Sequence, residues 1–270
     1  MTFLMNVVKA FLLGILEGFT DFIPIGRLGH FLLFDSFWTI YPSEFFIVFK
    51  TMIRLGSVIA VLFIFKDTLM LDPTKDKTKT FRIWIKLILG TLPLLILGFL
   101  LLDFTKKYLV SNFIIGMTMI IFGFIILCVE NRNKRNEIDK IENISIKKSI
   151  QIGLYQCLAL IPGCSLSTSR IIGALHSGCS RQVTGIYNLL LGIPILFIAI
   201  LVRFVQYVAV YGLFSFVQCI YLIIGILISF IITYIMVNLF LHYTKKHSFQ
   251  LFGLYQMFLG LFIIVYFYVL

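Results

Sequence analysis

The chain has 270 residues, of which 60% are hydrophobic and 13% charged, and a formal net charge of +11; its mean hydropathy is +1.03. A water-soluble domain usually carries about a quarter charged residues, and one of this length has no interior large enough for so much apolar surface, so a soluble globular protein is excluded. A bilayer accepts such a composition and asks for about 20 apolar residues per helical crossing.

Continuous apolar runs of that length follow one another along the chain at Phe3 to Phe19, Phe45 to Phe65, Ile83 to Leu102, Phe113 to Val129, Tyr187 to Val205, Phe214 to Leu241 and Leu251 to Leu270. Two more, Phe22 to Phe34 and Ile150 to Leu175, are interrupted by Pro and Gly. The runs are unbroken rather than alternating and exceed the length of a barrel strand, which predicts an all-α polytopic transmembrane helical bundle and not a β-barrel. The first run is expected to remain in the protein as a crossing and not as a cleaved signal. No basic residue precedes it, Lys9 lies inside it, and no small-residue cleavage site follows before Glu17 and Asp21.

The basic residues are grouped. Lys66, Lys75, Lys77, Lys79 and Arg82 share one polar connection, and Arg132, Lys134, Arg135, Lys140, Lys147 and Lys148 share another, two crossings later. Both connections therefore fall on one face, and the positive-inside rule makes that face cytoplasmic. Lys245 and Lys246 join them if the interrupted run around Pro162 dips in and returns to the same side. The connection from Asp35 to Glu44 then lies outside. The charge is thereby explained by the membrane, and no nucleic-acid partner is expected. Cys128, Cys157, Cys164, Cys179 and Cys219 show no metal-ligand spacing and read as buried small hydrophobes.

Ionisable side chains within apolar runs are costly and are functional candidates by default. They gather in two places. In LEGFTDFIPIGRLGH, residues 16–30, Glu17 and Asp21 are four apart and share a helix face before Pro24 breaks the pattern; Gly26, Arg27, Gly29 and His30 follow. In IPGCSLSTSR, residues 161–170, Pro162 and Gly163 break an apolar run ahead of Ser165, Ser167, Thr168 and Arg170. Ile23-Pro24 aligns with Ile161-Pro162 at similar places in approximate halves 1–130 and 148–270, joined by the basic loop 131–147. Paired breaks of this kind point to inverted repeats with re-entrant, discontinuous segments meeting near the midplane. Their exposed amides, with Arg27, Arg170 and Arg54, suit an anion such as phosphate, with Gly163 and Thr168 contributing at the second break.

These residues carry a resemblance. The chain is similar, nearly end to end, to the bacterial undecaprenyl-pyrophosphate phosphatase family, also called the bacitracin-resistance family. The family's first motif resembles EGxTEFxPxSSxGH, matched by Glu17, Gly18, Thr20, Phe22, Pro24, Gly29 and His30, and its second resembles PGxSRSGxT, matched by Pro162, Gly163, Ser165 and Ser167. Further echoes lie at Ile53 to Val61, Thr91 to Gly98, Gln156 to Gly163 and Leu189 to Ile195.

The resemblance implies a multi-pass enzyme of the bacterial plasma membrane that removes the terminal phosphate of undecaprenyl pyrophosphate, recycling the lipid carrier of cell-wall synthesis and conferring bacitracin resistance. It implies a site opening toward the outer face, acid–base and cation-binding work for Glu17, Asp21 and His30, and Mg²⁺ or Ca²⁺ held by Glu17 and Asp21. The partners it implies are the polyprenyl pyrophosphate substrate and membrane lipids, with a homodimer left open.

The departures fall on the motifs themselves. The family's Ser-Ser pair is Gly26-Arg27; its motif Arg is Leu166, the following Gly is Thr168 and the Thr is Arg170; Asp21 replaces Glu; Arg54 and Gln256 stand where the family more often has Gln and Arg. Arg170, one turn beyond Leu166, is the expected substitute for the missing guanidinium, and Arg27 adds another beside His30. Ser165 or Ser167 as nucleophile, or His30 acting directly or on water, replaces the lost serine pair. The sequence thus leaves two readings, a phosphatase with a rearranged site and a non-catalytic relative that binds or translocates polyprenyl phosphates.

Overall fold

The computed structural model describes residues 2–37, 40, 42–70, 77–109, 111–131 and 138–269, apart from the side chains of 2 and 102–108. Lys75, Arg132, Lys134 and Arg135 lie outside the described residues. Those described are mainly helical: α1 (Thr2–Thr20), α2 (Arg27–Phe37), α3 (Ser43–Met52), α4 (Arg54–Ile64), a short α5 (Lys66–Leu69), α6 (Lys77–Tyr108), α7 (Asn112–Glu130), α8 (Ile146–Gln156), α9 (Leu166–His176), α10 (Arg181–Tyr211), α11 (Phe216–Lys246) and α12 (Gln250–Tyr268).

Among the described residues, seven stretches are long and apolar enough to cross a membrane: Phe3–Thr20, Ser43–Ile64, Lys77–Leu101, Asn112–Glu130, Arg181–Tyr211, Phe216–Lys246 and Gln250–Tyr268. They coincide with the seven uninterrupted runs, and the all-α polytopic bundle read from the sequence is the observed class. Large apolar side chains such as Phe99, Phe124, Ile223 and Phe258 point outward with more than half their surface exposed, as a lipid solvent requires. Two helices, α6 and α10, begin about a turn and a half before their apolar runs, because polar first turns carry them beyond the hydrocarbon. At α10 a serine cap adds to this, Ser180 Oγ accepting from Val183 N (3.3 Å). The second run is two helices, offset at Ile53, and Arg54 opens the second of them.

The interrupted runs form hairpins that enter from opposite ends. Along α1, Phe3 stacks near Tyr221 in the first turns of α11, while Gly18 packs on Ser229 and Ile232 halfway along that helix. The chain then breaks, and α2 leads back until Phe37 meets Tyr266 at the far end of α12. The second hairpin starts from the other end. Ser149 Oγ on α8 donates to Lys86 O near the start of α6 (2.5 Å), Gln156 Nε2 donates to Gly90 O (2.9 Å), and Leu160 reaches Gly98. After the break α9 returns, and Gly178 and Ser180 pair with Ile138 through backbone hydrogen bonds. Both hairpins therefore place their tips near mid-depth.

The packing partners come in matched sets. Exchanging the halves turns α1 on α11 into α8 on α6, α4 on α11 into α10 on α6, and α2 on α12 into α9 on α7, while α7 on α12 and α4 on α10 map onto themselves. Close approach is obtained with glycine: a Cβ on Gly153 of α8 would lie 2.1 Å from Gly90 O of α6. Behind the first hairpin, Ser57 shares hydrogen bonds with Ser229 and Thr233 (2.8 Å each) and Thr233 Oγ1 donates to Gly18 O (3.4 Å), so the hydroxyls tying α4, α11 and α1 are satisfied within the bundle.

One end of the bundle gathers Lys66, Lys77, Lys79, Arg82, Lys140, Lys147, Lys148, Arg181, Lys245 and Lys246. Its geometry is fixed by Glu130, which pairs with Arg181 (2.9 Å) and accepts from Phe249 N (2.7 Å), and by Leu69 O, which accepts from Trp84 Nε1 (3.0 Å). The positive-inside rule makes this the cytoplasmic end. In a chain freed of native cysteines, Lys79→Cys and Lys140→Cys are expected to stay unlabelled by an impermeant thiol reagent in intact cells, and Leu213→Cys, at the opposite end, to react. The reverse pattern would invert the topology.

Candidate active site

Glu17 sits in the last turn of α1 and Asp21 one turn on, its amide still bonded to Glu17 O (3.0 Å). Their spacing of four puts both carboxylates on one face. The chain turns at Ile23-Pro24, where Ile25 N donates to Ile23 O (2.8 Å), and Gly26 takes φ +83°, which L side chains avoid. Arg27 then opens α2 with its guanidinium aimed back at α1. Arg27 Nε donates to both oxygens of Glu17 (2.8 and 2.9 Å) and Nη2 donates to Oε2 (2.6 Å) and to Lys50 O (3.0 Å). The guanidinium also lies 4.2 Å from the centre of the Phe31 ring.

Arg54, at the start of α4, completes the cluster. Its Nη2 donates to Asp21 Oδ1 (2.5 Å) and its Nε lies 3.5 Å from Glu17 Oε1. The carboxylate side chains are 0% and 1% exposed and the arginines 15% and 21%. Two negative and two positive charges thus neutralise one another at mid-depth, the arrangement lipid demands of ionisable groups. One buried carboxylate oxygen, Asp21 Oδ2, has no hydrogen-bond partner.

The second hairpin supplies the opposite wall. Its tip runs through Pro162 and Gly163, whose φ is +93°; a Cβ there would lie 2.4 Å from Ile115 O of α7, so only glycine fits both the turn and the contact. Ser165 precedes α9, and its side chain caps no amide. Ser167 Oγ donates to Asp21 O (3.2 Å), which joins the two tips directly. Thr168 Oγ1 accepts from Gln256 Nε2 (2.6 Å). Arg170, 2% exposed, donates from Nε to Gln156 Oε1 (2.9 Å) and from Nη1 to Asn188 O (3.3 Å), and Asn188 Nδ2 donates to Phe22 O (3.0 Å).

A cavity of about 160 Å³ lies between the tips, lined by Asp21, Gly26, Arg27, Leu28 and Arg54 on one side and Ala159, Pro162, Gly163, Cys164, Ser165 and Leu166 on the other. The N-termini of α2 and α9 both open onto it. Each contributes about half a positive charge, and with the charged side chains balanced the cavity favours an anion.

Of the residues singled out in the sequence, Asp21, Arg27, Gly163 and Ser165 line this cavity, and Glu17 stands directly behind Arg27. Ser167, Thr168 and Arg170 stand in the layer behind α9's first turn. Arg170 therefore braces α8, α9 and α10 and does not line the cavity. His30 lies beyond Gly26: its Nδ1 is hydrogen-bonded to Gly26 O (2.9 Å) and its Nε2 to the Tyr255 hydroxyl (2.7 Å).

The two carboxylates do not fit the expected cation. Mg²⁺ and Ca²⁺ take about six or more oxygen ligands, whereas both Glu17 oxygens accept from Arg27 and Asp21 Oδ1 accepts from Arg54, which leaves Asp21 Oδ2 alone. No third acidic, histidine or cysteine side chain joins them among the described residues.

The family model described as bacitracin resistance protein BacA matches residues 10–262. The chain belongs to the BacA family. It is 34% identical to undecaprenyl-diphosphatase 1 of Clostridioides difficile (strain 630) over 99% of this chain and 98% of that protein. It is 34% identical to an undecaprenyl-diphosphatase of Lactiplantibacillus plantarum over 98% of each chain, and 31% identical to undecaprenyl-diphosphatase 1 of Oenococcus oeni over 96% of each. With seven stretches fit to span a membrane, this BacA-family chain is a multi-pass protein of the bacterial cell membrane.

Sequence reasoning underrated Arg54 and missed Gln156 and Asn188. Gln156 lies in a stretch matched to the family yet reads as a neutral polar residue. Asn188 is the one amide side chain in the stretch Tyr187–Ile195, and that place among apolar residues was its signal. Gly163→Ala is expected to lower the melting temperature in detergent by several degrees, because it combines a disfavoured φ with overlap on the Ile115 carbonyl. An unchanged transition would mean that the tip can shift freely.

Proposed function

We propose that this chain is a membrane phosphatase that hydrolyses undecaprenyl pyrophosphate to undecaprenyl phosphate and inorganic phosphate, the activity named in its BacA-family relatives. The observation that carries the reading is the cavity at mid-depth where two helix N-termini, Arg27, Arg54 and Asp21 meet, Asp21 having one carboxylate oxygen without a partner. The nitrogens Nη1 of both arginines make no hydrogen bond among the described residues, so each guanidinium can hold its carboxylate and still donate to a phosphate oxygen.

In this reading the Ser165 hydroxyl attacks the terminal phosphorus. Its Oγ–P bond forms as the bond from phosphorus to the bridging oxygen breaks, and its proton passes through Asp21 Oδ2 to the departing undecaprenyl phosphate, which leaves Asp21 ionised again. Water then attacks the phosphoserine and gives one proton to Asp21, which returns it to Ser165 Oγ as the Oγ–P bond breaks, so that hydrogen phosphate leaves and the serine hydroxyl is restored. Arg27, Arg54 and the amides of α2 and α9 stabilise the charge gathering on the phosphoryl and bridging oxygens. Glu17 fixes Arg27. His30 keeps the Gly26 turn closed, and Gly163 lets the second tip approach. Ser167, Thr168 and Arg170 hold the tips in register. Recycling of the lipid carrier and resistance to bacitracin follow from this activity.

The test is phosphate release from undecaprenyl pyrophosphate by purified protein in detergent. Ser165→Ala is expected to lower kcat by roughly two orders of magnitude or more, as loss of a nucleophile does, whereas Ser167→Ala, which removes one hydrogen bond to a backbone carbonyl, should leave it within severalfold. Equal effects would remove Ser165 from the role. The second reading, a non-catalytic binder of polyprenyl phosphates, is favoured by one observation: both acidic side chains are already paired with arginine. Binding of the lipid without release of phosphate under any condition would establish it.

A further inference from the structure

The guanidiniums of Arg27 and Arg54 stand where a cation shared by Glu17 and Asp21 would have to stand. We propose that these two arginines take the part of a divalent cation in this chain, so that Glu17 and Asp21 hold no metal and hydrolysis needs none. The catalytic half rests on the phosphatase reading; the binding half stands on geometry alone.

Three features argue for it. The first is donor saturation: Arg27 engages both oxygens of Glu17 at 2.6–2.9 Å and Arg54 engages Asp21 Oδ1 at 2.5 Å, so a cation entering here must displace charge-assisted hydrogen bonds. The second is charge. The positions where the family resemblance gives neutral Ser and Gln carry two guanidiniums here, which together bring the two positive charges of one Mg²⁺ or Ca²⁺. Each arginine also reaches the other's carboxylate, at 3.5 Å for Arg54 Nε to Glu17 Oε1 and 3.8 Å for Arg27 Nε to Asp21 Oδ1, so an added dication would meet repulsion from both and find the carboxylate charge already neutralised.

The third is anchoring. Arg27 is held by the Lys50 carbonyl (3.0 Å) and by the face of Phe31 (4.2 Å) as well as by Glu17. A guanidinium fixed from three sides does not swing away to admit a metal. It is planar and permanently charged, and it presents further donors to a phosphate, which a lysine at the same place would do as a point charge only.

Titration of purified protein with Mn²⁺, followed by the resonance of the free aqua ion, tests the binding half without reference to activity. The wild-type chain is expected to leave Mn²⁺ free. Arg27→Ser combined with Arg54→Gln is expected to bind one Mn²⁺ per chain, and further Glu17→Gln to abolish that binding. Wild-type protein that binds one Mn²⁺ per chain, with the binding lost in Glu17→Gln, would overturn the proposal whether or not the double variant folds.

For the catalytic half, the wild-type rate of phosphate release is expected to change less than about twofold in excess chelator. The double variant should lose about tenfold or more in chelator and recover with Mg²⁺ or Ca²⁺, since the metal would then supply the missing charge. A wild-type rate that collapses in chelator and returns with Mg²⁺ also overturns it. If no phosphate is released under any condition, the phosphatase reading has failed, and the Mn²⁺ titration still decides whether the arginines have displaced the metal.

Discussion

Asp21→Asn is expected to lower kcat for phosphate release by about 10²- to 10⁴-fold, the range associated with loss of a positioned general base, with KM changed much less. The expectation comes from one atom. Asp21 Oδ1 is engaged by Arg54, but Oδ2 is buried beside the cavity without a partner, and a carboxylate oxygen kept free in such a place is available to receive a proton. Asparagine preserves the shape and can still accept from Arg54 through its carbonyl, but it leaves one buried arginine charge uncompensated, so the melting temperature in detergent should fall, and the rates are compared at a temperature where both proteins are folded, so that the lost rate reports chemistry. Asp21→Glu, which restores the residue of the family motif, should keep the rate within about tenfold, since the acid is retained and only its reach changes. Full activity in Asp21→Asn would remove the residue from proton transfer and leave Glu17 or His30 to supply it.

How far the sequence revealed this site follows from which interactions are local. Glu17, Asp21 and Arg27 lie within eleven residues, and intramembrane charge marked them at once. The two breaks at Pro24 and Pro162 were equally visible, because proline and glycine in the middle of an apolar run interrupt the helix that would otherwise cross the bilayer. The mutual arrangement was not visible. That Arg27 turns back onto Glu17, and that Arg54 arrives from a different helix to hold Asp21, depends on tertiary packing with no sequence period to announce it. The same limit applies to the cation: the family resemblance implies metal at Glu17 and Asp21, and only the position of the guanidiniums reveals that Asp21 Oδ2 alone among their carboxylate oxygens is not already engaged. The seven spans were legible from hydropathy, while the offset at Ile53 was not, since both helices share one apolar run.

Arg170 is expected to govern stability more than affinity for phosphate. Arg170→Ala removes a side chain that is 2% exposed and leaves the Gln156 side-chain oxygen without its donor, while the Asn188 carbonyl keeps its place in the α10 hydrogen-bond ladder. The cavity and the unsatisfied Gln156 oxygen together should cost about 3 kcal/mol or more, seen as a large fall in melting temperature in detergent and a poor yield of folded protein. Arg170→Lys should recover little, because one ammonium cannot reach both acceptors with the geometry of a planar fork. Arg170→Met combined with Gln156→Met removes donor and acceptor together and conserves volume, so it should regain much of the lost stability, as apolar replacement of buried polar pairs often does. In that double variant KM for the lipid diphosphate should stay within severalfold of wild type, whereas Arg54→Ala, which strips a guanidinium from the cavity wall, should raise KM roughly tenfold to a hundredfold through the loss of a charge-assisted contact to phosphate. If the stable double variant binds substrate as poorly as Arg54→Ala, Arg170 is the relocated phosphate clamp expected from its place one turn beyond Leu166, and the second hairpin must shift on binding to bring it into the cavity.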